Sequence, residues 1–278
     1  MQLPQIRVMT SADVERTAEA MLREGWGDRR VKMQFVAEHP QCAPLIAEAD
    51  GAVVGTGVAT FNGPVGWIGT IWVDPAWRRR GLGRALTIAT MEAAEAAGCR
   101  TFVLVATREG QPLYEGLGFE VQTSYRILEA PGLAPGQAVS RARPFLPTDL
   151  PAMAELDAAA TGEDRRHLLA AFAAPGTAIV VERTDGRLGA FAIRAPWGGG
   201  ATIAPDHDDA MAILQARRLT AGPDKRVRAG LLADNEAGLE RLAAAGWKDV
   251  WQAPRMIRGP MPAWDPDAIW GQFDHALG

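Results

Sequence analysis

Residues 77–84 read Trp77-Arg78-Arg79-Arg80-Gly81-Leu82-Gly83-Arg84. An apolar run, Trp67 to Val73, precedes them and is closed by Asp74-Pro75, and an Ala-rich segment of helical spacing, Leu82 to Ala97, follows. The order predicts a strand, a basic glycine-rich turn and a helix. Such a turn makes a place for a phosphate. Glycine lets the backbone approach a ligand closely. The first N–H groups of a helix have no intrahelical partner, and both the helix dipole and the arginines favour negative charge there. Two better-known phosphate loops are excluded. There is no Gly-x-x-x-x-Gly-Lys-Ser/Thr, and Leu86 stands where the third glycine of a dinucleotide fingerprint would fall.

Composition sets the frame around this turn. The chain has 278 residues, 47% of them hydrophobic, enough for two domains with full cores. A net charge of −4 argues against a nucleic-acid partner, which needs a broad basic surface, so the cluster at 78–84 suits a small anion. Cys42 and Cys99 are too few for a disulfide framework and read as buried free thiols. No His/Cys constellation suggests a metal. Pro205-Asp206-His207-Asp208-Asp209 reads as a surface loop. The N-terminus carries no signal-peptide pattern and no apolar run approaches spanning length, so the expectation is a cytoplasmic protein without a membrane partner.

The chain contains a faint internal repeat. Residues 129–143 are rich in Pro and Gly and read as a linker, taken as 131–143, between domains 1–130 and 144–278. Strand, Asp-Gly and strand occur on both sides, around Asp50-Gly51 and Asp185-Gly186. Gly118-Phe119 and Gly246-Trp247 close short helices at a similar offset. The first half reads as a strand near Ile6–Met9, a helix from Asp13 to Glu24 with Ser11 as N-cap, and a second helix over Arg30–Glu38. The hairpin, the strand Trp67–Val73, the basic turn and its helix come next. A buried strand Thr101–Ala106, a short helix Pro112–Leu117 and a last strand Glu120–Leu128 complete it. The tail places Ile269, Trp270 and Phe273 at helical spacing and predicts a short packed helix.

After the buried strand comes Tyr114-Glu115-Gly116-Leu117-Gly118-Phe119. With Val73-Asp74-Pro75 and Arg78-x-x-Gly81-x-Gly83, it resembles, in the same order, the motif blocks of the GNAT acetyltransferases. The resemblance implies an α/β (α+β) protein of two tandem GNAT-like domains, each a mixed, mostly antiparallel sheet flanked by helices. It also implies acetyl-CoA as co-substrate and a small-molecule or peptide amine as acceptor. Backbone groups of Ile71, Trp72 and Val73 would hold the pantetheine arm and the thioester. Arg78, Arg79, Gly81, Leu82, Gly83 and Arg84 would hold the pyrophosphate, with Arg80 solvated between them. Tyr114 would be the acid to the departing thiolate. Trp26, Trp67 and Trp72 fall on segments that line the acceptor cleft of that fold.

One departure stands out. The family often draws a carboxylate base from the central strand, and Trp67–Val73 contains none, nor is Val105 acidic. Glu24, Asp28 and His39 remain as bases, beside water or a side chain of the second domain. Near residue 208, where the repeat would place a second phosphate turn, three carboxylates stand instead, and Leu242 replaces Tyr114. The second half therefore reads as a degenerate GNAT-like domain, with Asn235 serving as a helix cap. A non-catalytic acyl-CoA-binding module, another acyl donor, an O-acceptor and a homodimer stay open.

Overall fold

A computed structural model describes residues 4–136 and 140–278 of the chain. The first half runs β1 (Gln5–Val8), α1 (Val14–Arg23), α2 (Arg30–Glu38), β2 (Cys42–Ala49), β3 (Ala52–Asn62) and β4 (Val65–Val73). It continues with α3 (Leu82–Ala96), β5 (Thr101–Val105), α4 (Gln111–Glu115) and β6 (Glu120–Pro131). Val14, Ala18 and Met21 of α1 are buried as their spacing predicts, while Leu22 is exposed. The cap lies one residue earlier than expected. Ser11–Asp13 form a 3-10 turn, and Asp13 accepts from Thr10 N–H at 2.9 Å. Asp50 and Gly51 turn the β2–β3 hairpin with φ of 49° and 78°, the left-handed pair that a two-residue hairpin requires.

The second half repeats this order. It consists of β7 (Ala142–Pro144), α5 (Leu150–Thr161), α6 (Arg166–Phe172), β8 (Ala178–Glu182), β9 (Leu188–Ile193), β10 (Thr202–Ile203), α7 (His207–Ala221), β11 (Arg226–Leu232), α8 (Glu236–Ala244), β12 (Lys248–Arg258) and β13 (Ile269–Gly271). The repeat extends to side chains. Arg7 pairs with Asp13 at 2.8 Å and with Glu48 at 2.9 Å, tying the first strand, the first helix and the hairpin together. Arg143 does the same with Asp149 at 2.8 Å and Glu182 at 2.7 Å.

The halves do not close their sheets separately. One eight-stranded sheet has the order β1-β2-β3-β4-β5-β12-β6-β11, and a five-stranded sheet has the order β13-β10-β9-β8-β7. Strand β6, expected to complete the first half, pairs instead with β12 and β11. Strand β12 in turn lies between β5 and β6, with Arg255 opposite Val105 on one side and Thr123 on the other. Strand β12 of the second half thus extends the first half's sheet beside β5, and β6 of the first half pairs with β11 of the second, with β6 and β12 side by side. Periodicity marks a strand but does not name its partner. The exchange also merges the cores: Met33, Val36, Trp67 and Tyr125 of the first half share one buried cluster with Met153, Leu168, Phe172 and Phe273 of the second.

The tail is a correction. Pro266–Ala268 form a 3-10 turn capped by Asp265, and Ile269–Gly271 form β13, paired antiparallel with β10. Ile269, Trp270 and Phe273 are buried, but on an extended chain rather than a helix. The Asp265-Pro266 start favours a tight turn, and Ile and Trp suit a pleated surface once a partner strand is present.

Candidate active site

Strand β4 provides the first wall. It pairs with β3 over its length but with β5 only at Val65–Thr101, Gly66–Phe102 and Trp67–Val103, after which the two parallel strands diverge. The register shifts between Thr56 and Val58, Thr70 takes φ of 52°, and Thr56 Oγ1 donates to Thr70 O at 2.7 Å. This is a bulge, which bends and twists its strand. Trp72 pairs with Thr56, and Asp74 N–H donates to Val54 O at 2.9 Å. Ladder alternation therefore turns the backbone groups of Ile71 and Val73 toward the open splay and those of Trp72 toward β3. Of the three expected contact residues, Ile71 and Val73 turn their backbone groups to the splay, where the Val73 carbonyl is already taken by Arg78, while the amide of Trp72 faces β3 and its indole is buried.

The basic turn forms the second wall. Gly81 is the N-cap of α3 at φ of 87°, with no side chain on the first N–H groups and nothing within 4 Å of where a Cβ would sit. Leu82 is buried with Leu86 and anchors the turn from below. Arg78, Arg79, Arg80 and Arg84 are exposed. Arg78 Nε donates to Val73 O at 3.0 Å, hooking the turn to the splayed strand. The Arg80 guanidinium lies over the Trp77 ring, 5.4 Å from its centroid, rather than in solvent alone. Arg79 and Arg84 meet no carboxylate among the described residues.

Helix α4 closes the third side. A Cβ on Gly83 would lie 3.5 Å from Leu113 Cδ1 and 3.7 Å from Val73 Cγ2, so the end of β4, the start of α3 and α4 converge on one residue. Tyr114 is half-buried beside Phe119, and burial pushes its phenol up to about 12. Burial also raises the Cys42 and Cys99 thiols to about 11, which keeps both protonated.

On the acceptor side the structure departs from expectation. Trp67 is fully buried and donates through Nε1 to Glu163 at 3.0 Å, so it belongs to the seam between the halves and not to an open wall. Glu163, raised by burial, also accepts from Asn62 Nδ2 at 2.7 Å. Trp26 is half-buried in the α1–α2 loop and accepts from Arg29 Nε at its carbonyl, 2.7 Å. Glu24 is exposed, and Asp28 pairs with Arg30 at 2.8 Å. His39 packs against His167 in the seam, ring centroids 4.9 Å apart.

The group missed in the sequence is His275. The chain after β13 crosses the base of the splay at Gly69, where a Cβ would sit 2.6 Å from His275 O and 2.7 Å from Ala276 Cα. The imidazole stacks on Trp251 at 5.2 Å, and burial, with help from Lys32 and against Asp274, lowers its pKa and keeps it neutral. It lines a cavity of about 700 Å³ between the halves, together with Arg29, Arg217, Arg228, Trp197 and Trp251. Nothing in local spacing marks these residues, because they come from six separate segments.

The matching region of the second half is closed. Asp206 caps α7, accepting from the N–H groups of Asp208 at 2.8 Å and Asp209 at 3.0 Å. Buried Asp209 is bound by Arg183 at 2.8 Å and by Arg141. Strand β13 pairs with β10 and lies against β11, with Gly271 Cα 4.0 Å from where a Gly230 Cβ would be. Asn235 is buried and caps α8 through Gly238 N–H at 2.8 Å. Among the described residues no group of three or more His, Cys, Asp or Glu is arranged to hold a metal, and no helix is long and apolar enough to cross a membrane.

Comparison with known proteins follows the same two-part division. The acetyltransferase (GNAT) family model matches residues 11–119, and a second acetyltransferase (GNAT) domain model matches residues 153–271. An uncharacterized N-acetyltransferase of Bacillus subtilis, YitH, is 29% identical over 219 residues, 76% of each chain. A candidate acetyltransferase of Pyrococcus horikoshii superposes with a TM-score of 0.83 at 21% identity, over 100% of this chain and 97% of that one. A tandem GNAT protein from the clavulanic acid biosynthesis pathway superposes with a TM-score of 0.62 at 14% identity, over 92% and 99%. At these identities the two structures speak for the fold alone.

Proposed function

Because the chain belongs to the acetyltransferase (GNAT) family and carries two of its domains in tandem, we propose that its first half is an acetyl-CoA-dependent N-acetyltransferase acting on a primary amine. The observation that carries this reading is the convergence of an open strand edge, an uncapped basic helix start and helix α4, which meets Gly83 through Leu113 and carries Tyr114 next to it in sequence. The residues present fit the donor. The first N–H groups of α3 and the exposed Arg79 and Arg84 suit a pyrophosphate. The open edge at Ile71 and the Val73 N–H suits the amides of an extended pantetheine chain, which can complete a strand ladder.

Acetyl-CoA supplies an activated thioester when bound. The protein's share is to hold it, to orient the amine and to handle two protons. The amine nitrogen forms the new bond to the acetyl carbon as the carbon–sulfur bond breaks. The proton that the amine loses passes to neutral His275, and the sulfur leaves under a hydrogen bond from Tyr114. A phenol near 12 facing a thiol of ordinary pKa about 8.5 donates a hydrogen bond more readily than its whole proton. Tyr114 therefore works by stabilising charge on sulfur, and it stays protonated near neutral pH.

The test is release of free CoA with a panel of amines, amino acids, polyamines, aminosugars and peptides. Tyr114→Phe is expected to lower kcat tenfold or more with CoA affinity held, and unchanged kcat removes Tyr114 from the mechanism. Tight CoA binding without turnover on any amine would leave a CoA-binding module instead.

A further inference from the structure

The cavity between the halves carries a charge that the protein does not satisfy. Arg217, on α7, meets no carboxylate among the described residues. Its one side-chain hydrogen bond is a 3.5 Å contact with Thr202 Oγ1. Burial, and then Arg194 nearby, push its guanidinium down to about 10, the response of a cation held where it lacks a counter-charge. The carboxylate of the lining does not relieve it: Asp274 is taken by Lys32, while Glu129, outside the lining, pairs with Arg228 at 3.0 Å. Arg29 adds a third positive group to the lining.

The shape is equally specific. About 700 Å³ is the size of a small-molecule site. Trp197 and Trp251 give it aromatic walls, and His275 stands where the tail backbone crosses the base of the β4–β5 splay. The link from the cavity to strand β4 is His275, which lines the cavity and whose carbonyl lies against Gly69, two residues before Ile71; Arg217 with Arg228 offers planar, multiply donating groups matched to a carboxylate or phosphate.

We propose that this cavity is the acceptor pocket and that it selects primary amines bearing a carboxylate or phosphate, anchored by Arg217 and Arg228. The inference rests on the transferase reading above and deepens it. It also gives the second half a function of its own: that half supplies the anion anchor, both aromatic walls and His275, although its own donor site is closed.

The test uses matched pairs of acceptors that differ by one anion: 4-(aminomethyl)benzoate against benzylamine, and phosphoethanolamine against ethanolamine. With acetyl-CoA, the anionic member of at least one pair is expected to have a tenfold or greater advantage in kcat/KM, and the arm that shows it names the anion. Arg217→Gln should collapse that ratio toward one, chiefly through KM. If Arg217→Gln does not fold by circular dichroism, the exposed Arg228→Gln should lower the same ratio in part. Calorimetric binding of 4-(aminomethyl)benzoate and benzylamine to CoA-loaded protein provides a readout that needs no turnover. Equal handling of both members of each pair, or a ratio unmoved by both substitutions, overturns the pocket assignment and leaves the transferase intact. Tight CoA binding with no turnover counts against the transferase, and the calorimetric preference then decides the pocket alone.

Discussion

Helices α3 and α7 are both 15 residues long and occupy matching places in the two halves, yet their first turns are opposites. At α3, Gly81 leaves the N–H groups uncovered and arginines stand around them. At α7, Asp206 accepts from those N–H groups, and Asp209 is locked to Arg141 and Arg183. The same helix start has no side-chain cap in one copy and a carboxylate cap in the other. The splays differ in the same way, since β4 and β5 diverge freely while β13 lies against β11. On the proposed reading, the duplicated fold keeps one donor site, while in the other copy side chains and the tail occupy the matching place.

The sharpest way to break this comparison is to remove the charge that distinguishes α3. Arg79→Gln with Arg84→Gln should weaken CoA binding about a hundredfold or more, taking roughly 1.5 kcal/mol for each charge-assisted contact. Calorimetry with CoA measures it directly. Retained affinity would mean that the helix N-terminus and strand edge suffice, and that the arginines are only a solvated face.

How much of this was legible in sequence follows from range. Arg78-x-x-Gly81-x-Gly83, Val73-Asp74-Pro75 and the Tyr114 to Phe119 segment are local signals, in which turn, cap and helix start lie within a few residues of one another. The carboxylates that close α7 were legible for the same reason. Partners were not. The strand character of Glu120–Leu128 shows in its residues, but its pairing with β12 is set by a segment over a hundred residues away. A three-residue strand such as Ile269–Gly271 is too short for a period to be read, so its apolar spacing mimics a helix turn. Arg217 and His275 stand on α7 and in the tail and line one cavity only once the chain has folded.

The repeated clamp offers a second, smaller test, this time of likeness rather than difference. Asp13 is held below the usual carboxylate range by Arg7, then Arg16 and Thr10, and Asp149 by Arg143, then the Leu146 amide. A carboxylate lowered on folding stabilises the protein fully above its unfolded value near 4, and the contribution is lost as pH falls through the folded value. Asp13→Asn and Asp149→Asn should each cost about 2 kcal/mol at neutral pH, and each should flatten the decline of stability below pH 4. Urea melts across pH check both. A large effect at one site with none at the other would show that the halves no longer share this support.

The smallest effect tests the difference at its source. Asp206→Ala removes the cap of α7, and a lost Asp cap costs about 1 kcal/mol, about 2 °C in Tm for a chain of this size. The substitution uncovers the N–H groups of Asp208 and Asp209, which might be thought to recreate a donor site. It should not, because the Asp208 carboxylate remains at the first turn and β13 still occupies the space beside β11. Titration of Asp206→Ala with CoA is therefore expected to give one site of unchanged affinity. A second site would mean that the cap alone separates the two halves, and that β13 yields to a ligand when the helix start is opened.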